Sequence, residues 1–401
     1  MKILFVADVS ISRVGSGAER VLFEQATRFA AAGHAVHLIT RLNPETHKEQ
    51  IEKISGVTEW RYQADKRHAA RFVTDTFKNG GRLFRRLNRD LGFDRLFFHQ
   101  PLTAGAVLFS GGYPGAKTLY VCHSLWHEEY LSRTGGTSGF PRRILSAIPA
   151  LTRKWLENTA MSRSDRIIAL SAYTKEKLQH HHGIPADTIS IVPGGVDPER
   201  FDPGGDRTLI RERLSLPVNR IVLFTLRNLE PRMGLSELLR AMPAVVSQLP
   251  EVCLVIGGGG PLKESLTAQV DRAGLNSHVF FTGFIDESDL PDYYRMADLF
   301  ILPTRELEGF GLVTLEAMAS GTPVLGTPVG GTREILEALD PGFLFADTSA
   351  EAMARLIIRT CRRLMSDTGV MTEMRQKVRA FAETHYSWES HMCALMALAG
   401  I

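Results

Sequence analysis

The chain carries no apolar run of membrane-spanning length, few cysteines and little excess charge of either sign. Its longest apolar stretches, such as IVLFTL from Ile221, are strand-sized, far short of the roughly 20 residues that cross a bilayer. The N-terminal MKILFVADVS does not read as a secretion signal, because Asp8 interrupts the apolar run and no small-residue cleavage site follows. Cys122, Cys253, Cys361 and Cys393 stand far apart without a CxxC pair. That argues against a disulfide framework and for reduced thiols in a cytoplasmic protein. A net charge of +3 gives no reason to expect a nucleic-acid partner.

What is present is a globular composition, 44% hydrophobic and 23% charged over 401 residues, enough for two or three domains. The basic residues are unevenly spread. Between Lys66 and Arg95 lie Arg67, Arg71, Lys78, Arg82, Arg85, Arg86 and Arg89, opposed only by Asp75, Asp90 and Asp94. A second stretch from Arg142 to Arg166 adds Arg143, Arg153, Lys154 and Arg163. Each accompanies an apolar stripe at helical spacing: Leu83, Leu87 and Leu91 in the first, Ile144, Ile148, Leu151 and Trp155 in the second. Two readings follow. Either these are solvated helix faces over core stripes, or they form a surface of the N-terminal half that leans on anionic lipid at the inner face of a membrane.

Strands and helices alternate. Ile3 to Val6 and Ala35 to Ile39 read as strands around a helix from Ala18 to Ala32, and further apolar runs begin at Leu96, Thr118, Arg166 and Ile189. The segment from Pro193 to Gly205 is turn chemistry throughout and reads as an inter-domain linker. The alternation then resumes, with strands at Ile221–Leu226, Val252–Ile256, Val279–Thr282, Leu299–Leu302 and Pro323–Leu325. Helices are expected from about Leu235, Leu262, Glu287 (capped by Asp286), Leu312 and Thr332, and only helices past Ala350. This predicts an α/β protein of two Rossmann-like doubly wound parallel-sheet domains, 1–200 and 206–385, with a terminal helix over 386–401 returning to the first. Ligands in such sheets bind beyond the carboxyl ends of the strands, so the expected site is a central cleft.

The chemistry concentrates in PTRELEGFGLVTLEAMASGTPVLGTPVGG, Pro303 to Gly331. A strand ends, a loop carries Glu308 and Gly309-Phe310-Gly311, and a helix opens at Leu312. That arrangement aims backbone N–H groups and a helix dipole at an anion. Glu316 follows eight residues after Glu308, off its face, and suits hydrogen bonds from sugar or ribose hydroxyls. EGFGLVTLE resembles the paired-glutamate motif of the family 4 retaining glycosyltransferases, which have the GT-B fold. The resemblance implies that Glu316 holds the donor ribose and Glu308 faces the transferred sugar.

It extends over essentially the whole chain. GSGAER resembles the family's first loop, placing Gly15 and Gly17 beside donor diphosphate and acceptor. A dinucleotide fingerprint fails there, because Arg20 occupies the third glycine position and no acid follows Thr40-Arg41. VCHSLWHEEY puts His123 where the family has an active-site histidine. His127 and His180-His181-His182 read as surface residues without acids at ligand spacing. PGGVD, Pro193 to Asp197, reads as a linker turn. RNLEPRMG supplies Arg227 and Arg232, displaced by one position from the family's phosphate-binding Arg and Lys. GGGGPL, Gly257 to Leu262, matches a turn near the donor, and FTGFID a segment whose backbone meets the base around Phe284. HYSWES resembles the terminal segment that crosses to the first domain.

Family membership implies retaining transfer of a hexose-type sugar from a UDP- or GDP-linked donor to a glycan or lipid-linked acceptor, in polysaccharide or glycolipid synthesis. No cofactor and no essential metal are expected, since no DxD motif occurs and two arginines can take the leaving diphosphate. The acceptor pocket falls in Asn43–Gln100 and Ser132–Pro149. A nucleotide-sugar epimerase of the same fold and a non-catalytic sugar-nucleotide-binding subunit are the rival readings. A glycoside hydrolase gives the phosphate-directed loops no purpose.

Overall fold

A computed structural model describes residues 1–43, 49–111, 115–134 and 140–401, without the side chains of 140–146 and 368. The side chains of Arg142, Arg143 and Ile144, together with parts of both expected acceptor segments, therefore lie outside what is described. The chain divides into two compact units, Met1–Pro193 with His391–Ile401, and Gly194–Ser390.

The first unit runs β1 (Lys2–Val6), α1 (Gly17–Ala31), β2 (Ala35–Arg41), β3 (Ile51–Ile54), β4 (Val57–Tyr62), α2 (Ala69–Asp75), α3 (Gly81–Leu91), β5 (Arg95–Phe98) and α4 (Pro101–Ser110). It continues through β6 (Lys117–Cys122), α5 (Trp126–Thr134), α6 (Phe140–Ser162), β7 (Arg166–Ala169), α7 (Ala172–His182) and β8 (Ile189–Ile191). One sheet orders them β3-β4-β2-β1-β5-β6-β7-β8. All neighbours are parallel except the β3–β4 hairpin, which the sequence reading had passed over. Its turn is Ser55-Gly56, both at positive φ (46° and 85°), as a two-residue hairpin of the favoured twist requires.

Burial on both sheet faces explains why β1 is apolar without alternation: Ile3, Leu4, Phe5 and Val6 are all fully buried. Phe5 stacks on Phe97, its partner in the β1–β5 register, at 4.9 Å. The two basic helices behave differently. On α3, Leu87 is buried and Leu83 and Leu91 pack against the same core, so this stripe is structural. On α6, Ile148, Leu151 and Trp155 are 70%, 65% and 56% exposed, and the core-stripe reading of that helix is wrong. Leu156 and Ala160 on its other face do the packing.

The second unit runs α8 (Arg207–Arg213), β9 (Ile221–Leu226), α9 (Leu235–Gln248), β10 (Val252–Gly257), α10 (Lys263–Arg272), β11 (Val279–Gly283), α11 (Leu290–Met296), β12 (Leu299–Leu302), α12 (Leu312–Ala319), β13 (Val324–Gly326), α13 (Gly330–Leu339), α14 (Ala350–Ser366) and α15 (Thr368–His385). A last helix, α16 (Trp388–Ala399), follows. The sheet is parallel, ordered β11-β10-β9-β12-β13. Helix α11 starts three residues later than expected. Asp289 occupies its cap position without a side-chain bond, and Asp286 contributes only its carbonyl, to the N–H groups of Asp289 and Leu290.

In each sheet the strand order reverses at one place, between β9 and β12 in the second unit and between β1 and β5 in the first. Loops leave in opposite directions there and open a crevice at the carboxyl edge. Most of the candidate residues lie at or beside these two points, whereas Phe284 follows β11 at the edge of the second sheet.

Candidate functional site

In the second unit Arg227 is the first residue after β9, and Pro303-Thr304 directly follow β12, the neighbouring strand. The Arg227 guanidinium spans the reversal. Its Nη2 donates to Glu308 Oε2 at 2.5 Å and to Thr304 Oγ1 at 2.9 Å. Thr304 in turn donates to Glu308 Oε2 at 2.9 Å. Arg227, Thr304 and Glu308 are all buried, and Arg227 Nε has no hydrogen-bond partner among the described residues. Arg232 sits in a single helical turn, Pro231–Met233, and donates to the Leu307 carbonyl at 3.0 Å. Neither arginine is a free surface cation. Both are drawn into the loop that holds Glu308.

That loop is built on glycine. Gly311 caps α12 at φ +91°, where a Cβ would fall 2.5 Å from Thr332 Oγ1. Gly330 opens α13 at φ +59°, and a Cβ there would approach the Glu308 carbonyl to 1.9 Å. The Gly331 N–H donates to that carbonyl at 3.0 Å. Any side chain at these positions would push the loop off the start of α12, the end of the helix whose dipole favours an anion. Glu316, on the fifth turn position of α12, is buried and accepts from the Tyr294 hydroxyl at 2.8 Å.

Gly257 to Gly260 continue the β9–β10 pairing past the strands. Arg227 N donates to Gly257 O at 3.0 Å and Leu229 N to Gly259 O at 2.9 Å. The glycine run therefore holds the Arg227–Leu229 segment in place from behind. Phe284 stands at the exit of β11, half exposed, while the next residue, Ile285, packs inward. The PGGVD segment is more than a linker turn. A Cβ on Gly194 would lie 2.8 Å from Leu312 and 2.9 Å from Phe310, and one on Gly195 would lie 2.5 Å from Trp388 N. Both glycines are buried and let the backbone pass directly behind the start of α12.

In the first unit the loop after β1 leads to α1. Ser16 caps the helix by accepting from Glu19 N, and Glu19 returns a carboxylate oxygen to Gly15 N at 2.6 Å. Gly15 and Gly17 are exposed on either side of this cap. His123 follows β6 and meets His99, which follows β5, with Nε2 to Nδ1 at 3.0 Å. Burial lowers the pKa of both rings, His123 to about 4 with His391 contributing. Both are thus neutral near pH 7 and one must donate to the other. His123 Nδ1 and His99 Nε2 remain buried without partners among the described residues. His391 Nδ1 can only donate to the Pro193 carbonyl at 2.7 Å, which leaves its Nε2 to accept from Gln25 at 2.9 Å.

The structure thus brings Arg227 and Arg232 against the loop that carries Glu308 and Gly309–Leu312, with Glu316 on the helix that follows, all in the second unit. Gly15, Gly17 and His123 stand at the corresponding edge of the first. Sequence reasoning missed Thr304, Tyr294 and His99. His99 had a signal, since it follows an apolar run just as His123 does. Tyr294 had none, because its partner lies 22 residues on and only the fold joins them.

His127, read as a surface residue, is buried, with Nδ1 2.6 Å from Glu157 Oε2. His181 Nε2 lies 2.8 Å from Glu128 Oε1, and the His182 side chain is fully buried beside Glu157. The acids that sequence spacing failed to supply arrive from α5 itself and from α6.

Two α/β units with ligand-directed residues at the carboxyl edges of doubly wound sheets define a protein of the GT-B class. The chain belongs to the group 1 glycosyltransferases: residues 206–383 match the family described as Glycosyl transferases group 1, and residues 15–200 match Glycosyltransferase Family 4. It is 31% identical over 272 residues to the GDP-mannose-dependent alpha-(1-6)-phosphatidylinositol monomannoside mannosyltransferase of Mycolicibacterium smegmatis, covering 64% of this chain and 70% of that one. Against the protein of the same name from Mycobacterium tuberculosis H37Rv identity is 34%, over 49% of this chain and about half (53%) of the relative. In fold it is similar to a sucrose-phosphate synthase from Thermosynechococcus elongatus, with a TM-score of 0.82 at 21% identity over 99% of this chain and 98% of the other. No helix among the described residues is long and apolar enough to cross a membrane.

Proposed function

We propose that the protein transfers a hexose-type sugar, with retention, from a nucleoside diphosphate sugar to a glycan or lipid-linked acceptor. The observation that carries this reading is the buried Arg227–Thr304–Glu308 cluster at the sheet reversal of the second unit, beside the glycine-built start of α12. A leaving diphosphate needs cations and oriented N–H groups where its charge grows. Arg227, Arg232 and the first turn of α12 supply both without an essential metal. Glu316, already held by Tyr294, is set to accept from ribose hydroxyls. Glu308, oriented by Arg227 and Thr304, addresses the sugar. The neutral His123 offers the sugar a hydrogen bond rather than a charge.

The relatives named as GDP-mannose-dependent make GDP-mannose the first donor to assay, with UDP-linked hexoses beside it. Purified protein given donor and a phosphoinositide or glycan acceptor should form product. Glu316→Ala and Arg232→Ala, still folded, should each lose at least about 30-fold in kcat/KM, as expected for a contact worth ~2–4 kcal/mol. Full activity in both refutes the assignment. A new sugar from donor alone would identify an epimerase instead.

The acceptor side of the reading includes a membrane. Ile148, Leu151 and Trp155 form an exposed apolar stripe on α6. Phe109 stacks on Trp155 at 5.7 Å, and Arg163 lies over the Phe109 ring. Aromatic and aliphatic side chains beside Lys154 and Arg163 suit an anionic lipid interface.

A further inference from the structure

We propose that His127, Glu157 and His182 bind one divalent transition-metal ion, with zinc the expected occupant, joining α5, α6 and α7 of the first unit. This goes beyond the transferase reading and is independent of the donor site.

The Glu157 carboxylate, almost fully buried, accepts from Trp126 N at 2.5 Å and His127 N at 3.3 Å, and from His127 Nδ1 at 2.6 Å. Those bonds cap the start of α5 and by themselves would account for Glu157 and His127. They do not account for His182. Its side chain is fully buried, and neither Nδ1 nor Nε2 has a hydrogen-bond partner among the described residues. Its Nε2 points at the same carboxylate oxygen from 3.8 Å. A buried imidazole without a bond on either nitrogen is an incomplete arrangement, and a cation between it and the carboxylate completes it.

The donor atoms of the three residues lie within 4.8 Å of one another. In a tetrahedral zinc site with bonds of ~2.0–2.1 Å, ligand atoms stand about 3.3 Å apart. The His127–Glu157 pair at 2.6 Å must open by about 0.7 Å, and the Glu157–His182 pair at 3.8 Å must close by about 0.5 Å, which are side-chain adjustments. Two imidazoles and one carboxylate favour zinc or its neighbours over magnesium or calcium. On binding, His127 coordinates through Nδ1 and carries its proton on Nε2. A hollow lined by Leu151, Lys154, Trp155, Asn158, His181 and His182 lies beside the cluster.

The test uses the full chain without a histidine tag, stripped with EDTA. Zinc is titrated by calorimetry and Co(II) by visible absorption. One zinc per chain is expected, with tetrahedral Co(II) absorption and a raised thermal transition on metal addition. His182→Gln should weaken zinc binding at least tenfold, whereas His180→Ala, on the neighbouring surface, should not change it. No stoichiometric binding by the unaltered chain overturns the proposal. So does unchanged binding in His182→Gln, or loss of binding in His180→Ala. Should His182→Gln fail to fold, the Co(II) spectrum of the unaltered chain decides, since octahedral or absent absorption contradicts the site.

Discussion

Replacing Arg227 by leucine isolates what the cluster at the β9–β12 reversal does. The change keeps the bulk of the buried stem but strands the Glu308 carboxylate with Thr304 Oγ1, at 2.9 Å, as its remaining side-chain donor. Removing one partner of a buried ion pair costs about 3–5 kcal/mol. For a unit of this size that lowers the melting temperature by roughly 6–20 °C. Glu308→Gln strands the guanidinium instead and should cost a similar amount. Because the two losses share one interaction, the double variant should be no less stable than the worse single variant, which requires a coupling at least as large as the smaller single loss, about 3 kcal/mol or more. Urea unfolding of the four proteins measures this directly. The singles should then separate in function. A nucleoside diphosphate offers Arg227 a new anionic partner, so Glu308→Gln should keep diphosphate affinity while losing transfer, and Arg227→Leu should lose both. Additive stabilities within about 0.5 kcal/mol refute the pair, and equal diphosphate affinity in Arg227→Leu refutes its assigned role.

Gly330→Ala should cost at least about 2 kcal/mol and reduce transfer, because φ +59° disfavours a side chain and its Cβ would press on the Glu308 carbonyl; thermal melting with an activity assay checks it. His123 and His391 have folded pKa values of about 4 against an ordinary 6.5. The unfolded chain therefore takes up protons that the fold refuses, and stability should fall as pH drops from about 6.5 to about 4, by up to ~1.4 kcal/mol per pH unit for each ring. The contribution is constant above that window, and His123→Gln should flatten the slope; an unaltered slope contradicts the burial argument. Leu151→Ser with Trp155→Ser should abolish sedimentation with anionic liposomes while leaving the fold intact, and unchanged partition would remove the membrane contact.

The sheet framework was legible because strands buried on both faces need unbroken apolar runs, and Ile221–Leu226 and Leu299–Leu302 lie where those runs are. The glycine turn before α12 was legible for a similar local reason. What could not be read is tertiary. The stripe on α6 has helical spacing, but spacing does not say whether a neighbour covers it, and none of the described residues covers Ile148 or Leu151. His127 and His182 look like surface residues until α6 carries Glu157 between them. Gly194 and Gly195 look like linker because the chain that passes them, Phe310 to Leu312 and Trp388, is more than a hundred residues away in sequence. Tyr294 could be recognised as a partner of Glu316 only once α11 and α12 were placed together.

Calorimetric titration of GDP and UDP into the purified chain bears most directly on whether the α12 crevice is a sugar-nucleotide site. One of the two should bind at a single site per chain, at least tenfold more weakly in Arg232→Ala and in Glu316→Ala. Failure of both nucleotides to bind, or equal affinity in the two variants, would contradict the account.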